Sequence, residues 1–385
     1  MVRIYRFVFT ILLSGFAVAC SASNKYTQQI DSIVTDAMQR KAFPGCQIYV
    51  LKNATPIYDK CFGYLTYDSS MPVMPTTLYD LASLTKTTGT LLAIMKLYDN
   101  GFLKLSDKAS DYLRFLKGTD KEQISISELL YHESGLPAYI EFGIRNSSQT
   151  QQIADSIAMQ HIAKSKRGAK TYLYSCLNFI LLKEIVEHIS GLTLNAYLFK
   201  NFYLPMNLHR IAFLPLQCFK VEEIAPTLKK IKAPNVLLQG IVHDPDAAFL
   251  GGVSGNAGLF AAAHDVAWVH QLLLNGGDMD GKRYLSYETC QIFTNCVSAS
   301  GRRGLGFDRP TPQKPLSNAC CSDSSPVSYG HTGYTGTCCW VDPTRKLIYV
   351  FLSNRTYPND KENILARMSI RPKIQQVIYN MINDK

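Results

Sequence analysis

Two hairpin signatures, one near each end of the chain, constrain the fold more than any other feature. Near the start, Gln47–Leu51 and Pro56–Phe62 are strand-forming runs separated by a short break at Asn53-Ala54. Near the end, Gly336–Val341 and Leu347–Leu352 flank Asp342-Pro343-Thr344-Arg345-Lys346, a sequence suited to reversing the chain. Helical periodicity brackets both pairs. Ile30, Ile33, Val34 and Met38 share one face of a helix over Tyr26–Arg40, and a last helix covers Lys361–Ile382. This arrangement predicts that the two ends of the chain meet in one sheet. Residues from about 100 to 235 read mostly as helix and loop, including a helix over Asn178–Ser190. A further helix ends the stretch Val253–Leu274. The expectation is an α/β body with an inserted helical region, the two forming the walls of a cleft.

The chemistry is expected where those walls join, at Ser83-Leu84-Thr85-Lys86. Serine and lysine three residues apart share a helical face, so an amine can reach the hydroxyl. Free N–H groups at the start of that helix point where an oxyanion would form. Leu91, Leu92, Met95 and Leu97 continue at helical spacing and predict a buried helix behind the serine. Alone, the spacing is a weak signal, because serine and lysine are common and a capped, solvated helix start is its ordinary meaning. Two later segments add companions: Tyr174-Ser175-Cys176, and Tyr329-Gly330-His331-Thr332-Gly333-Tyr334.

In that order, these segments resemble the penicillin-recognising serine hydrolases, a superfamily of class C β-lactamases, D-alanyl-D-alanine carboxypeptidases and related esterases. The resemblance spans nearly the whole chain after the leader. It includes Leu129-Leu-Tyr-His132-Glu133-Ser-Gly-Leu-Pro137, Gly252-Val-Ser-Gly-Asn-Ala-Gly-Leu-Phe260 with Asp265, and Leu352-Ser-Asn-Arg355. It implies a β-lactamase/transpeptidase-like α+β fold, with a central, mostly antiparallel sheet and an inserted, mainly helical subdomain. It also implies Ser83 as nucleophile, Lys86 as base or its orienting partner, and Tyr174 as second base and proton donor to the leaving group. The oxyanion hole would be the backbone N–H groups of Ser83 and Tyr334. His331 and Thr332 would bind the carboxylate or ester side of the substrate, and Gly333 would leave room for its backbone. His132 and Glu133 belong to a loop near the cleft, where packing is the default role. Asp80 and Asp265 read as caps or internal hydrogen-bond partners.

Two departures bear on activity. His331 stands where most β-lactamases of this kind have lysine, and histidine is largely neutral at pH 7. Cys176 stands where the family has asparagine, and a thiol is a poor donor and acceptor. Asn178 would substitute only in a different helix register. The expected function is a cell-envelope serine hydrolase working through an acyl-serine on D-alanyl peptides or small esters. A class C-like β-lactamase is the sibling alternative, and a non-turnover penicillin-binding or sensing protein the alternative of another class. No cofactor or metal is expected, since neither paired C-x-x-C spacing nor H-E-x-x-H occurs.

Composition fits a globular chain, 46% hydrophobic and 18% charged. The net charge of +10 is scattered and lacks a recognition motif, which argues against nucleic acid and for solvated surface charge. Residues 1–19 read as a signal peptide, with Arg3 and Arg6 before the apolar run Phe7–Ala19. Ala17-Val18-Ala19-Cys20 resembles a lipobox, with lipidated Cys20 heading a short tether over 20–25 and the hydrolase domain covering 26–385. An ordinary A-x-A cleavage site is the alternative. The expected location is the periplasm or outer membrane of a bacterium, with a small-molecule or peptide substrate, peptidoglycan among the candidates. Of the 11 cysteines, Cys46 and Cys61 face each other if Asn53-Ala54 is a two-residue loop. They would then bridge, or pack as two small thiols beneath a helix.

Overall fold

The computed structural model describes residues 25–145, 149–229, 236–310 and 320–384. The leader, Cys20 and residues 311–319 of the loop before the His331 strand lie outside the described residues.

The first helix, α1 (residues 25–39), leads into the hairpin β1 (Gly45–Lys52) and β2 (Thr55–Gly63). The chain then forms β3 (Tyr79–Asp80), the Ser83 turn and α2 (Leu91–Asp99). Short helices α3 (Ala109–Tyr112) and α4 (Ile126–Tyr131) precede α5 (Gln151–Lys164), α6 (Cys176–Ser190) and α7 (Leu194–Leu198). Short strands follow: β4 (Ile211–Phe213), the pair β5 (Leu228–Lys229) and β6 (Leu237–Leu238), and, beyond α8 (Pro245–Phe249), β7 (Leu259–Ala261). After α9 (Ala263–Leu274) come the small pair β8 (Asp278–Met279) and β9 (Lys282–Arg283), then α10 (Tyr287–Asn295). The chain ends with β10 (Tyr329–Thr332), β11 (Cys338–Asp342), β12 (Leu347–Ser353), α11 (Ile364–Arg367) and α12 (Ile370–Asn383).

The main sheet has the order β10-β11-β12-β1-β2, antiparallel throughout, so β1 from the start of the chain pairs β12 from its end. Because side chains alternate along a strand, β1 serves two cores. Cys46, Ile48 and Val50 pack with Ile30 and Val34 of α1 and Ile374 and Ile378 of α12. Tyr49 and Leu51 face the larger core, which holds Val266 and Val269 of α9 and nearly all of α2. Between them Gln47 is buried, its amide donating to the Met74 and Thr77 carbonyls and its oxygen accepting from Ala263 N–H.

The structure corrects two expectations. The hairpin register shifts between Val50 and Leu51, so Ile57 bulges out, Gln47 rather than Cys46 faces Cys61, and Cys46 pairs with Phe62. Cys46 and Cys61 therefore lie on opposite faces of the sheet, and both are free thiols. The closing helix is broken at Ser369, whose left-handed φ of 52° ends α11 and starts α12.

Candidate active site

Ser83 sits in a tight 3-10 turn, Ala82–Leu84, between β3 and the helix it opens. Ala82 holds a positive φ of 47°, a conformation costing a non-glycine residue roughly 1–2 kcal/mol. Hydrogen bonds hold it there. Asp80 accepts from Ala82 N–H at 2.8 Å and from His243 N–H at 2.7 Å. Thr335 Oγ1 donates to the Asp80 carbonyl at 2.6 Å and Thr337 Oγ1 to the Leu81 carbonyl at 3.0 Å. These bonds fasten the segment after β10 to the serine turn. Asp80 is therefore an internal acceptor, as is Asp265, which accepts from Arg210 N–H at 2.6 Å.

Beyond the turn the helix widens into a π segment, Lys86–Thr90, before continuing as α2. The segment is fully buried and tied to the loop before β7. Thr90 donates to the Gly255 carbonyl at 2.8 Å, and Lys86 Nζ donates to the Asn256 carbonyl at 2.9 Å. Gly255 permits this approach, since a Cβ there would lie 1.9 Å from the Phe179 carbonyl oxygen in α6.

Three side chains from distant positions converge. Lys86 Nζ is 3.0 Å from Ser83 Oγ, and Tyr174 Oη is 2.9 Å from the same oxygen. Lys86 Nζ also stands 5.2 Å from the centre of the Tyr174 ring, and the Arg303 guanidinium 5.7 Å from it. Burial opposes the charge on Lys86, but Cys176 and Tyr174 favour it and leave its pKa raised. Burial also raises Tyr174, with Lys86 pulling the other way. At neutral pH the resting pair is an ammonium and a neutral phenol.

His132 braces the phenol. It caps α4 in the left-handed conformation, and its ring lies 4.6 Å from that of Tyr174. Its Nδ1 accepts from Ser175 N–H at 3.1 Å and lies 3.1 Å from the Asn178 amide. Burial, then Arg303 and Lys86, hold His132 neutral. Asn178 accepts from Ser134 Oγ at 2.6 Å, so its amide serves this bracing cluster. The position beside Lys86 is held by Cys176, whose sulfur is 3.8 Å from Nζ. Glu133 accepts from Ser300 Oγ at 3.1 Å.

Ser83 opens onto two cavities. The first, about 380 Å³, is lined by His331, Thr332 and Gly333 together with Arg302, Arg303, Arg355 and Arg371. These four arginines share the lining with a single carboxylate, Asp308, which pairs with Arg302 and with Arg303. His331 does not add to this charge. Its Nδ1 is 2.8 Å from the Thr332 carbonyl, which makes that nitrogen the proton carrier. Burial, Arg303 and Lys86 push its pKa well down. The close approach at Gly333 is to the protein itself: a Cβ would strike Thr337 Oγ1 at 2.1 Å and the Leu81 carbonyl at 2.4 Å. The second cavity, about 390 Å³, lies on the other side of Ser83, with Cys176, Tyr139, His243, Asp244 and Asp246 in its walls.

Sequence reasoning missed the four arginines and the acids of the second cavity. The adjacent pair Arg302-Arg303, in a loop otherwise rich in glycine, serine and proline, was the readable signal. Arg355 ended the Leu352–Arg355 segment without a role being read for it, and Arg371 carried no signal, since only the fold brings them to the cleft. Among the described residues no cluster suited to a metal ion occurs, and no helix is long and apolar enough to cross a membrane.

Comparison with known proteins adds independent support for the family reading. Residues 30–369 match the Beta-lactamase family model. The chain is 32% identical over 362 residues to a protein of Escherichia coli O157:H7 named "Putative D-alanyl-D-alanine carboxypeptidase", covering 86% of this chain and 81% of the relative. Among solved structures, EstCE1, "a hydrolase with promiscuous acyltransferase activity", superposes with a TM-score of 0.73 at 18% identity, covering 92% of this chain and 99% of that one. A class C β-lactamase gives 0.71 at 20% identity, covering 92% and 98%. At these identities the structural matches speak for the fold.

Proposed function

The chain belongs to the Beta-lactamase family of serine hydrolases, and from that premise we propose that it is a carboxypeptidase- or esterase-type hydrolase. Its substrates are D-alanyl peptides or short esters whose leaving group bears a carboxylate. The observation that carries this reading is the shared position of Ser83 Oγ, within 3.0 Å of both Lys86 Nζ and Tyr174 Oη, at the mouth of an arginine-lined cavity.

In this reading the Tyr174–Lys86 pair first loses one proton to solvent, and Ser83 then attacks the carbonyl while its own proton passes into the vacated position on the pair. The Ser83 N–H and Tyr334 N–H groups receive the oxyanion. The bond to the leaving group breaks as Tyr174 returns the proton to it. Water then attacks the acyl-serine and gives a proton to the same pair, which returns it to Ser83 Oγ as the acyl bond breaks and the acid is released. The arginines supply the carboxylate attraction that a neutral His331 lacks. The relative named for D-alanyl-D-alanine carboxypeptidase activity supports the peptide branch. Cys176 supports the ester branch, because ester cleavage requires no protonation of an amide nitrogen.

An envelope location belongs to the same proposal. It is supported by the basic and apolar residues ahead of Ala17-Val18-Ala19-Cys20, with lipidation of Cys20 as the membrane link and peptidoglycan as the peptide source.

The test compares N-acetyl-D-alanyl-D-lactate, N-acetyl-D-alanyl-D-alanine and 4-nitrophenyl acetate, with labelled penicillin followed by mass spectrometry. Turnover of the ester substrates, lost in Ser83→Ala, is the expected result. A KM raised at least about tenfold when the lactate carboxylate is methylated would place it among the arginines. Rapid penicillin turnover would move the assignment to a β-lactamase, and persistent acylation without turnover to a sensor. No acylation of Ser83 by any of these compounds would sink the reading.

A further inference from the structure

The two cavities beside Ser83 differ in charge. Tyr334 stands between them and lines both. On the arginine side the Arg355 guanidinium lies 4.3 Å from the centre of its ring. On the other side the His243 ring lies 5.4 Å away, and the Tyr334 hydroxyl donates to Asp360 at 3.1 Å. The second cavity thus gathers carboxylates. Asp246 is buried and accepts a long hydrogen bond from Phe142 N–H at 3.4 Å. Asp244 caps α8 through Ala247 N–H, and Asp360 is partly open to solvent.

Among the described residues, none of the three carboxylates has a lysine or arginine within ion-pairing distance; the one basic side chain that close is His243, 3.8 Å from Asp360. That histidine is no substitute for a cation, since burial lowers its pKa. Its Nε2 is buried without a hydrogen-bond partner, and its side chain is only 10% exposed. Burial, with Asp244 next to it, lifts Asp246 to about 6, a penalty that an arriving cation would relieve. Ala138, Tyr139, Pro245 and Ala257 supply apolar walls suited to a methylene stem. A bare divalent ion fits poorly, because these acids form no cluster suited to metal ligation among the described residues.

Resting on the acyl-serine reading above, we propose that this second cavity binds a primary ammonium carried on a flexible stem in the acyl part of the substrate. The geometry follows from the other cavity. If the carboxylate of the leaving group goes to the arginines, the acyl fragment departs from Ser83 in the opposite direction, toward Asp244 and Asp246. The preferred substrate is then zwitterionic, with an anion beyond the leaving atom and a cation beyond the carbonyl.

The experiment uses 4-nitrophenyl 6-aminohexanoate and 4-nitrophenyl 6-acetamidohexanoate, which share a leaving group without a carboxylate. The expected result is a kcat/KM for the amine at least about tenfold above that for the acetamide, the size of one charge-assisted hydrogen bond. That ratio should fall toward one in Asp246→Asn and in Asp244→Asn. The matching unreactive amides, bound to Ser83→Ala protein and followed by calorimetry, should give the same order of affinity without turnover. Equal kcat/KM for the two esters, or a preference that survives both aspartate substitutions, overturns the proposal while leaving the acyl-serine reading intact. If neither ester is hydrolysed, the calorimetric comparison decides: tighter binding of the amine upholds the cavity's role, with the acyl-serine reading judged by its own test, and equal binding overturns the proposal.

Discussion

Cys176 is the residue on which the balance between ester and amide cleavage turns. An asparagine there would accept from Lys86 and donate to a substrate, whereas the thiol lies 3.8 Å from Nζ and does both weakly. Cys176→Asn is therefore expected to raise amide relative to ester turnover by about tenfold, the worth of one recovered hydrogen bond to a charged group. The ratio of kcat/KM for a D-alanyl-D-alanine peptide and its D-lactate ester measures this, and an unchanged ratio would refute it. The Lys86–Tyr174 pair sets the pH dependence. Both pKa values are raised, so the pair is fully protonated at pH 7 and its base form grows as pH rises. For a neutral ester, log kcat/KM should climb with a slope near one from about pH 7 upward, and Lys86→Ala should flatten it. A plateau already reached below pH 7 would assign the base elsewhere. The three converging side chains were legible in the sequence because each sits in a short, recognisable segment. Arg355 and Arg371 were not, because which long side chains reach a cleft depends on packing that spacing alone does not encode.

The elements around the serine work as a clamp. Three hydrogen bonds join the Ser83 helix to residues 255–259: Lys86 to the Asn256 carbonyl, Thr90 to the Gly255 carbonyl, and Leu259 N–H to Thr85 Oγ1. Gly255 is the contact point of that clamp with α6, having no room for a side chain. Gly255→Ala should force the loop away from Phe179 and cost about 1–3 kcal/mol by overpacking. It should also lower kcat, because the carbonyl that holds Lys86 moves with the loop. A lower melting temperature together with reduced ester turnover is the expected pair of readings, and wild-type values for both would show the loop to be more pliable than its contacts imply. The same scale shows where the sequence misled. A simple two-residue loop sets Cys46 opposite Cys61, but Pro56 cannot donate to the ladder, and the edge strand β2 bulges at Ile57 beside it. A proline at the start of an edge strand was the available warning, and the shift of one residue sends the two thiols to opposite faces. The break at Ser369 left no comparable trace, since periodicity runs on through α11 and α12.

At the scale of the molecule, the sheet order makes both chain ends structural. β1 lies between β12 and β2, and its core-facing residues Cys46, Ile48 and Val50 are covered jointly by α1 and α12. The C-terminal helix contributes Ile370, Ile374, Ile378 and Tyr379 to that core. Burying four such side chains contributes on the order of 10 kcal/mol, which rivals the whole net stability of roughly 5–15 kcal/mol usual for a domain. Polar contacts tie the same helix down: Tyr379 Oη donates to Asp342 at 2.9 Å and Gln375 accepts from Cys321 N–H at 2.9 Å. Arg371, on its first turn, donates to the Thr337 carbonyl at 2.9 Å and lines the arginine cavity. Removing residues 370–385 should therefore unfold the protein as a whole rather than trim an appendage, because α1 alone covers only part of that face of β1 and β12. The expected observation is loss of the cooperative thermal transition and of ester hydrolysis together. Arg371→Gln, which keeps the helix, separates the two contributions: it should retain the transition and raise KM for carboxylate-bearing substrates. A truncated chain that still melts cooperatively and hydrolyses a neutral ester would mean that the sheet closes without its last helix.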